Sequence, residues 1–453
     1  MKTLLIQPPS SDPLTDQIFM FEPLALEYLG AGLKLDGHPV EILDARLTPD
    51  IESACHRFHP QVVGLTGYTF QINIIKDIAT RLKAIFPKLL VVVGGHHATV
   101  CPEDFNAAAI DVVVIGEGVF TLREILQAAE AGHDFLPIAG LAVPDPQGMR
   151  YSPSRPYTDL NELPLPDRSL TASHRQNYFS EWFKPLACVR TSLGCTARCN
   201  FCALWSITGG KYLSRTPEAV VAELKTVAEP NVFFCDDESM CDVRRMGRLA
   251  DLIRESGIRK KYCNYARADT IVEHPEVFAK WAKIGLSQVF VGMEDYSDAR
   301  LAAMNKGITS AQQIDAVRIL DDLGILVYAS YMVDPAYTRE DFGSLLAYVR
   351  RLKHKYATFP ILTPLPGTQL YARRQAELLS RKPELYDALH ALLPTTLPLE
   401  EFYAQYARLW TKAVPFYRII PTLARFGAQG MLTRIRLFGR FLKKVRMAHL
   451  DYQ

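Results

Sequence analysis

Ala187-Cys188-Val189-Arg190-Thr191 leads into Ser192-Leu193-Gly194-Cys195-Thr196-Ala197-Arg198-Cys199-Asn200-Phe201-Cys202. The first five residues read as a short buried strand. The loop after them carries three cysteines spaced C-x3-C-x2-C, with an aromatic just before the last. Three closely spaced thiolates can hold three irons of a cubane [4Fe–4S] cluster, which ordinarily takes four cysteines. The fourth iron is then left for a ligand that is not protein. A structural zinc site needs a fourth Cys or His at matching spacing, and none lies close by in the sequence. A disulfide framework does not suit nine scattered cysteines behind no secretory signal. The other six, Cys55, Cys101, Cys188, Cys235, Cys241 and Cys263, read as buried and inert.

Downstream, strand and helix patterns alternate from Leu186 to about Arg373. Candidate strands are Ala187–Thr191, Asn231–Cys235, Tyr262–Ala266, Gln288–Gly292, Leu326–Met332 and Thr358–Thr363. Six such repeats predict a partial (β/α)6 barrel over 187–373, whose working residues gather at the C-terminal strand ends.

Upstream, residues 1–145 alternate in the same way. Thr3–Gln7, Val40–Asp44, Val62–Tyr68, Leu89–Gly94 and Asp111–Ile115 read as buried strands, with helices near Pro23–Leu35, Ile72–Phe86 and Phe120–Ala129. This order predicts a doubly wound parallel sheet, which binds ligands at the carboxyl ends of its strands. Those ends carry Thr66-Gly67-Tyr68-Thr69, Gly94-Gly95-His96-His97-Ala98-Thr99 and Gly116-Glu117-Gly118. Residues 146–186 are rich in proline and polar groups and read as a linker. A helical region, 374–453, closes the chain.

With 48% hydrophobic and 22% charged residues the composition is that of an ordinary globular protein. The net charge of +2 gives no global case for nucleic acid. No apolar run approaches the roughly 18–20 residues that span a bilayer, and the start is too short a hydrophobic run for a signal peptide. The expected location is the cytoplasm. From Phe402 to Gln453, ten basic residues face one acid, Asp451. Pro415–Leu450 interleaves Phe416, Tyr417, Ile419, Ile420, Leu423, Phe426, Leu432, Ile435, Leu437, Phe438, Phe441 and Leu442 with Arg418, Arg425, Arg434, Arg436, Arg440, Lys443, Lys444 and Arg446. Such a helix suits the inner face of an anionic membrane. Packing of its apolar stripe on the barrel fits as well, while nucleic acid finds no other support.

The cysteine triplet with its aromatic resembles the radical S-adenosylmethionine (SAM) superfamily. There the open iron is chelated by SAM, which is split to methionine and a 5′-deoxyadenosyl radical. The N-terminal series, from Pro23-Leu24-Ala25-Leu26-Glu27-Tyr28-Leu29 through Gly94–Thr99 to Asp111–Gly118, resembles the cobalamin-binding domain that precedes many radical SAM domains. The D-x-H-x-x-G loop of members that ligate cobalt through histidine is absent, since Gln7-Pro8-Pro9-Ser10-Ser11-Asp12 follows the first strand. Asp36-Gly37-His38 mimics half of it but reads as a turn. The resemblance implies cobalamin bound with its own base displaced and no protein histidine on the metal. It places Thr66, Gly67, Gly94, Gly95, His96, His97, Gly116, Glu117 and Gly118 around the cofactor, with Tyr68, Thr69 and Phe70 beneath it.

The same resemblance implies SAM contacts at strand ends. Asp236 and Asp237, in the run Asp236-Asp237-Glu238, match the contact to the methionine amino group, although three acids in a row also fit a solvated turn. Glu294, in Gly292-Met293-Glu294, matches the ribose contact. Arg267 suits a carboxylate by its fork geometry, and a bridge to Asp269 or Asp236 fits equally. Thr363-Pro364-Leu365-Pro366-Gly367-Thr368 is either structural or a ligand loop. Tyr328 and Tyr331 are unranked candidates for proton transfer or stereochemistry.

Together the two cofactors imply methyl transfer to an unactivated carbon, with an external electron donor of flavodoxin or ferredoxin type. Pro275–Leu286, Leu385–Pro394 and Leu397–Tyr403 look like hopanoid C-3 methylases, implying a hydrophobic isoprenoid substrate. The alternative is a cobalamin-dependent radical cyclase or methylase acting on a tetrapyrrole or another natural product. A non-catalytic SAM or cobalamin sensor sits badly with an intact cysteine triplet.

Overall fold

The computed structural model describes every residue except Pro13, Trp182, Phe416, Tyr417, Ile419, 421–426 and Gln453. The chain forms two compact units. The first is Met1–Cys188 with Ser206–Gly209 and Leu213–Arg215, and the second comprises the remaining residues.

In the first unit a seven-stranded sheet runs in the spatial order Val40–Asp44, Thr3–Gln7, Val62–Thr66, Leu90–Gly94, Val112–Val114, Leu141–Val143, Arg150–Tyr151. The first five strands pair in parallel and the last two join antiparallel. The order 2-1-3-4-5 places a topological switch point beside Thr3–Gln7, where doubly wound sheets open a crevice. Their strands are near-continuous Val, Leu and Ile because helices cover both faces. One helix, Ile51–Phe58, had no expectation behind it. It is two turns long, capped by Asp50 accepting from the Ser53 amide at 2.9 Å, and is stopped at the left-handed His59.

The segment 146–186, read above as a linker, is folded into this unit. Phe179–Ser180 pairs antiparallel with Phe19–Met20. Glu22 and Glu27, both buried, take Arg175 and Thr171 as partners. Lys34 reaches Asp167 at 2.6 Å. These anchors are polar and far apart in sequence, so no apolar periodicity betrays them.

The second sheet runs Leu186–Val189, Asn231–Phe234, Lys261–Ala266, Leu286–Glu294, Leu326–Tyr331, Tyr356–Thr358, in chain order. From Asn231 onward every pair is parallel, and a helix follows each strand, the winding of a (β/α) barrel. The last strand ends at Thr358 rather than spanning 358–363, because Pro360 cannot donate to a ladder. Side chains alternate across this sheet. Phe234 and Tyr262 pack with Trp281 of the helix Pro275–Lys283. On the opposite face Phe233, Tyr265, Phe290, Tyr328 and Tyr356 form a row of neighbouring rings.

Candidate active site

The cysteine loop is anchored at both ends. Asp236, fully buried after the strand Asn231–Phe234, accepts the Thr191 amide at 2.6 Å, the Ser192 amide at 2.8 Å and the Thr191 hydroxyl at 2.7 Å. Asp237 accepts the Gly194 amide at 2.6 Å. Both aspartates therefore hold the strand-to-loop turn. The third acid, Glu238, is buried and accepts the Met240 amide at 3.1 Å. Burial, together with the charge on Cys195, pushes its carboxyl up to about 8. The far side of the loop is tied to the turn after the short helix Asp298–Ala303. Asn200 donates to the carbonyls of Met304 (3.1 Å) and Ala303 (2.8 Å), and Asn305 donates to the Arg198 carbonyl at 2.6 Å. Trp205 donates to the Ala197 carbonyl at 2.7 Å while Arg198 lies over its ring.

All three thiols are free and partly exposed. Cys195 is drawn below the usual thiol range by a hydrogen bond from Cys241, with help from the Ala197 amide and the charges of Arg267 and Lys306. Burial pushes Cys199 up and Cys202 up to about 11, while Lys306 and Arg267 pull Cys199 back down. Arg267 forks onto Asp269 at 2.8–3.2 Å and donates to the Lys306 carbonyl at 2.8 Å. Glu294 ends the longest strand with a left-handed φ of 62° and meets Lys306 Nζ at 2.6 Å. Arg267, Glu294 and Lys306 thus converge beside the turn that is tied to the cysteine loop. Lys306 was not among the residues singled out from sequence, and Cys241, read there as buried and inert, is instead partly exposed, as Cys101 and Cys235 also are, and bonds to Cys195. Cys241 carried one usable signal, its position just beyond the strand-end run Asp236–Met240.

In the first unit the strand ends carry another constellation. Gly95 has φ 102°, and a Cβ there would stand 2.4 Å from Thr66 Oγ1 and 3.0 Å from the Gly67 nitrogen, so backbone meets backbone. Tyr68 is 55% exposed, stacks on Phe70 and has the tilted His96 ring 5.7 Å away. Thr99 donates to the Gly95 carbonyl and accepts the Gly116 amide at 3.1 Å, joining two strand ends. Glu117 caps the helix Val119–Ala131 through the amides of Val119 and Phe120. His97 is buried with one ring nitrogen on Thr69 (3.0 Å) and the other on Asp104 (2.9 Å).

Residues 19–126 match the B12 binding domain family and residues 189–349 the radical SAM superfamily. A methyltransferase of Pyrococcus horikoshii, itself uncharacterized, is 30% identical over 384 residues, 82% of either chain. The hopanoid C-3 methylase of Methylococcus capsulatus is 28% identical over 412 residues, 89% of this chain and 78% of its own. The radical SAM methyltransferase TsrM of Kitasatospora setae, solved with cobalamin and a [4Fe-4S] cluster, superposes with a TM-score of 0.68 at 21% identity, over 83% of this chain and 76% of that one.

This chain belongs to the cobalamin-dependent radical SAM methyltransferases. The residues fit what that family holds. Three unpaired thiols on one clamped loop, facing two cations, suit a [4Fe–4S] cluster. A glycine-lined crevice at a switch point suits cobalamin, and His97, with both ring nitrogens engaged, offers none to its metal. Other singled-out parts of the methyltransferase are Tyr331, Tyr328 and the loop 363–368, which leads into a helix whose Leu370 amide donates to the Asn200 carbonyl of the cysteine loop at 2.9 Å. Tyr331 lies on the helix-covered face with its hydroxyl 2.7 Å from His354, and Tyr328 belongs to the ring row opposite. In the loop 363–368, Thr368 caps the helix Gln369–Arg374.

The C-terminal helix Gly427–Met447 buries Phe441 and Val445, Phe441 meeting Trp410 at 4.8 Å. Beyond it, Asp451 pairs with His390 and the Tyr452 hydroxyl with that of Tyr403. Leu432, Ile435 and Phe438 stay exposed. The tail readings on Phe416, Tyr417, Ile419, Leu423, Arg425 and Phe426 lie outside the described residues. Among the described residues no helix is long and apolar enough to cross a membrane.

Proposed function

We propose that the enzyme methylates an unactivated carbon of a hydrophobic, hopanoid-type isoprenoid, with residues 1–145 serving cobalamin, 187–373 serving the cluster and SAM, and 374–453 the substrate's membrane. The observation that carries the substrate reading is the alignment with a hopanoid C-3 methylase along nearly the whole chain. When bound, the cluster and SAM supply a 5′-deoxyadenosyl radical and cobalamin supplies the methyl group.

The chain's own part is to bind, orient and screen. Cys195, Cys199 and Cys202 hold the cluster, and Asp236 and Asp237 keep their loop in shape. Glu238 faces the amino group of SAM, Glu294 its ribose, and Arg267 its carboxylate. Thr66, Gly67, Gly94, Gly95, His96, Gly116 and Gly118 would line the crevice for cobalamin, with the exposed Tyr68 ring beside it. Electrons come from a flavodoxin or ferredoxin. Exposed Leu432, Ile435 and Phe438 beside Arg434, Arg436 and Arg440 suit contact with anionic lipid.

The test is anaerobic reconstitution with cobalamin, SAM, reductant and a hopanoid. Coupled 5′-deoxyadenosine and S-adenosylhomocysteine, with a product one methyl group heavier, is the expected result. Deoxyadenosine without S-adenosylhomocysteine would point to cyclisation instead, and loss of no methylated hopanoid from a deletion strain would overturn the substrate reading.

A further inference from the structure

Lys306 sits in the turn Asn305-Lys306-Gly307, whose flanking residues both take left-handed φ, 51° and 73°. The turn is knitted to the cysteine loop by the three bonds through Asn200 and Asn305 described above, and Phe201 packs with Met304, Met332 and Leu362. On its other side the Lys306 carbonyl accepts from Arg267 at 2.8 Å. This brings a lysine more than a hundred residues downstream against the loop of Cys195–Cys202.

Its ammonium is nearly inaccessible and pairs with Glu294 at 2.6 Å, the two side chains 8% and 9% exposed. A Cβ on Gly292 would stand 2.4 Å from Glu294 Oε1 and 2.8 Å from Lys306 Nζ, so the strand gives up a side chain to house the pair. A buried ion pair is a poor stability device, because desolvation offsets much of the attraction. Burial works against the charge on Lys306, and Glu294 and Cys199 outweigh it.

We propose that Lys306 is the tuning cation of the cluster, held against the cysteine loop by its turn and by Glu294 so that it favours the reduced state. The inference rests on the cluster reading above. Reduction adds one electron from an external donor and one negative charge, with no bond made or broken. A fixed positive charge in a poorly solvated site stabilises that added charge. Charge and burial are among the levers that set iron–sulfur potentials.

The experiment is an EPR-monitored redox titration, with dithionite as reductant, of the anaerobically reconstituted full chain, without SAM, for the wild type, Lys306→Met, Lys306→Arg and Glu294→Gln. Iron and acid-labile sulfide are counted for each. Lys306→Met should disfavour reduction at least tenfold, a shift of about 59 mV to more negative potential for one electron. Lys306→Arg should hold the wild-type value, and Glu294→Gln, which leaves the cation uncompensated, should shift it the opposite way. A Lys306→Met protein with full cluster content and unchanged potential overturns the proposal. If that variant takes up no cluster, an unmoved potential in Glu294→Gln overturns it. Failure of the wild type itself to take up a cluster would instead strike the cluster reading.

Discussion

Replacing Asp236 separates an anchoring role from contact with SAM. Its side chain is 1% exposed and takes three hydrogen bonds at 2.6–2.8 Å from Thr191 and Ser192, while Arg245 holds the Thr191 carbonyl at 2.7 Å. Hydrogen bonds to a charged group contribute about 1.5–3 kcal/mol each, and buried donors left without partners cost about 1–3 kcal/mol. These contributions overlap, and Asp236→Ala should lose roughly 4 kcal/mol. In Asp236→Asn the carboxamide oxygen still accepts both amides and its NH2 can donate to the rotatable Thr191 hydroxyl, so the expected loss is about 1 kcal/mol. Stability is read by urea unfolding of the apoprotein, cluster uptake by iron and sulfide counts, and SAM affinity by equilibrium dialysis. Asp236→Ala should fail on stability and on cluster uptake together, whereas Asp236→Asn should keep both and bind SAM normally. An Asn variant of normal stability and full iron content that binds SAM tenfold more weakly would refute this reasoning, since the charge would then be serving SAM.

Three further outcomes follow from the geometry. Gly95→Ala forces a Cβ to 2.4 Å from Thr66 Oγ1 at φ 102° and should cost about 3 kcal/mol; a urea midpoint unchanged from wild type would contradict it. Glu27 is held up at about 8 by burial and by Glu22, against 4.5 when free. Its contribution to stability is therefore complete below about pH 4.5 and is lost as pH rises toward 8, and Glu27→Gln should flatten that part of the stability profile relative to wild type. At the tail, Phe441→Ala should cost about 3 kcal/mol, whereas Leu432→Ser with Ile435→Ser should leave stability within about 0.5 kcal/mol yet reduce co-sedimentation with anionic liposomes. Undiminished co-sedimentation would remove the membrane reading of this helix.

Legibility tracked how local each signal was. The strand Thr3–Gln7 was readable as written, because a strand covered on both faces is apolar along nearly all its length, whereas Val40–Asp44, at the sheet's edge, was readable despite Glu41 and Asp44. The cysteine loop was readable because its three donors lie within eight residues. Lys306 and Cys241 were not, since their nearness to Cys199 and Cys195 is created by strand order. Asp236 and Asp237 looked like ligand contacts by position alone, and only the amides of Thr191, Ser192 and Gly194 reveal how their oxygens are spent. Tyr331 misled for a related reason. Being three residues from Tyr328, it falls on the other face of the strand.

The pairing of Glu22 with Arg175 and of Glu27 with Thr171 bears on how this half of the molecule can be inherited or exchanged. A recombination junction drawn at the end of its sheet, near residue 145, would strand two buried carboxylates without their partners. A junction just before Leu186 would carry both partners along and leave the first strand of the second sheet whole. The unit that evolution or an engineer can move intact is thus some forty residues longer than the binding fold it contains, and chimeras between relatives should tolerate the later seam and not the earlier one.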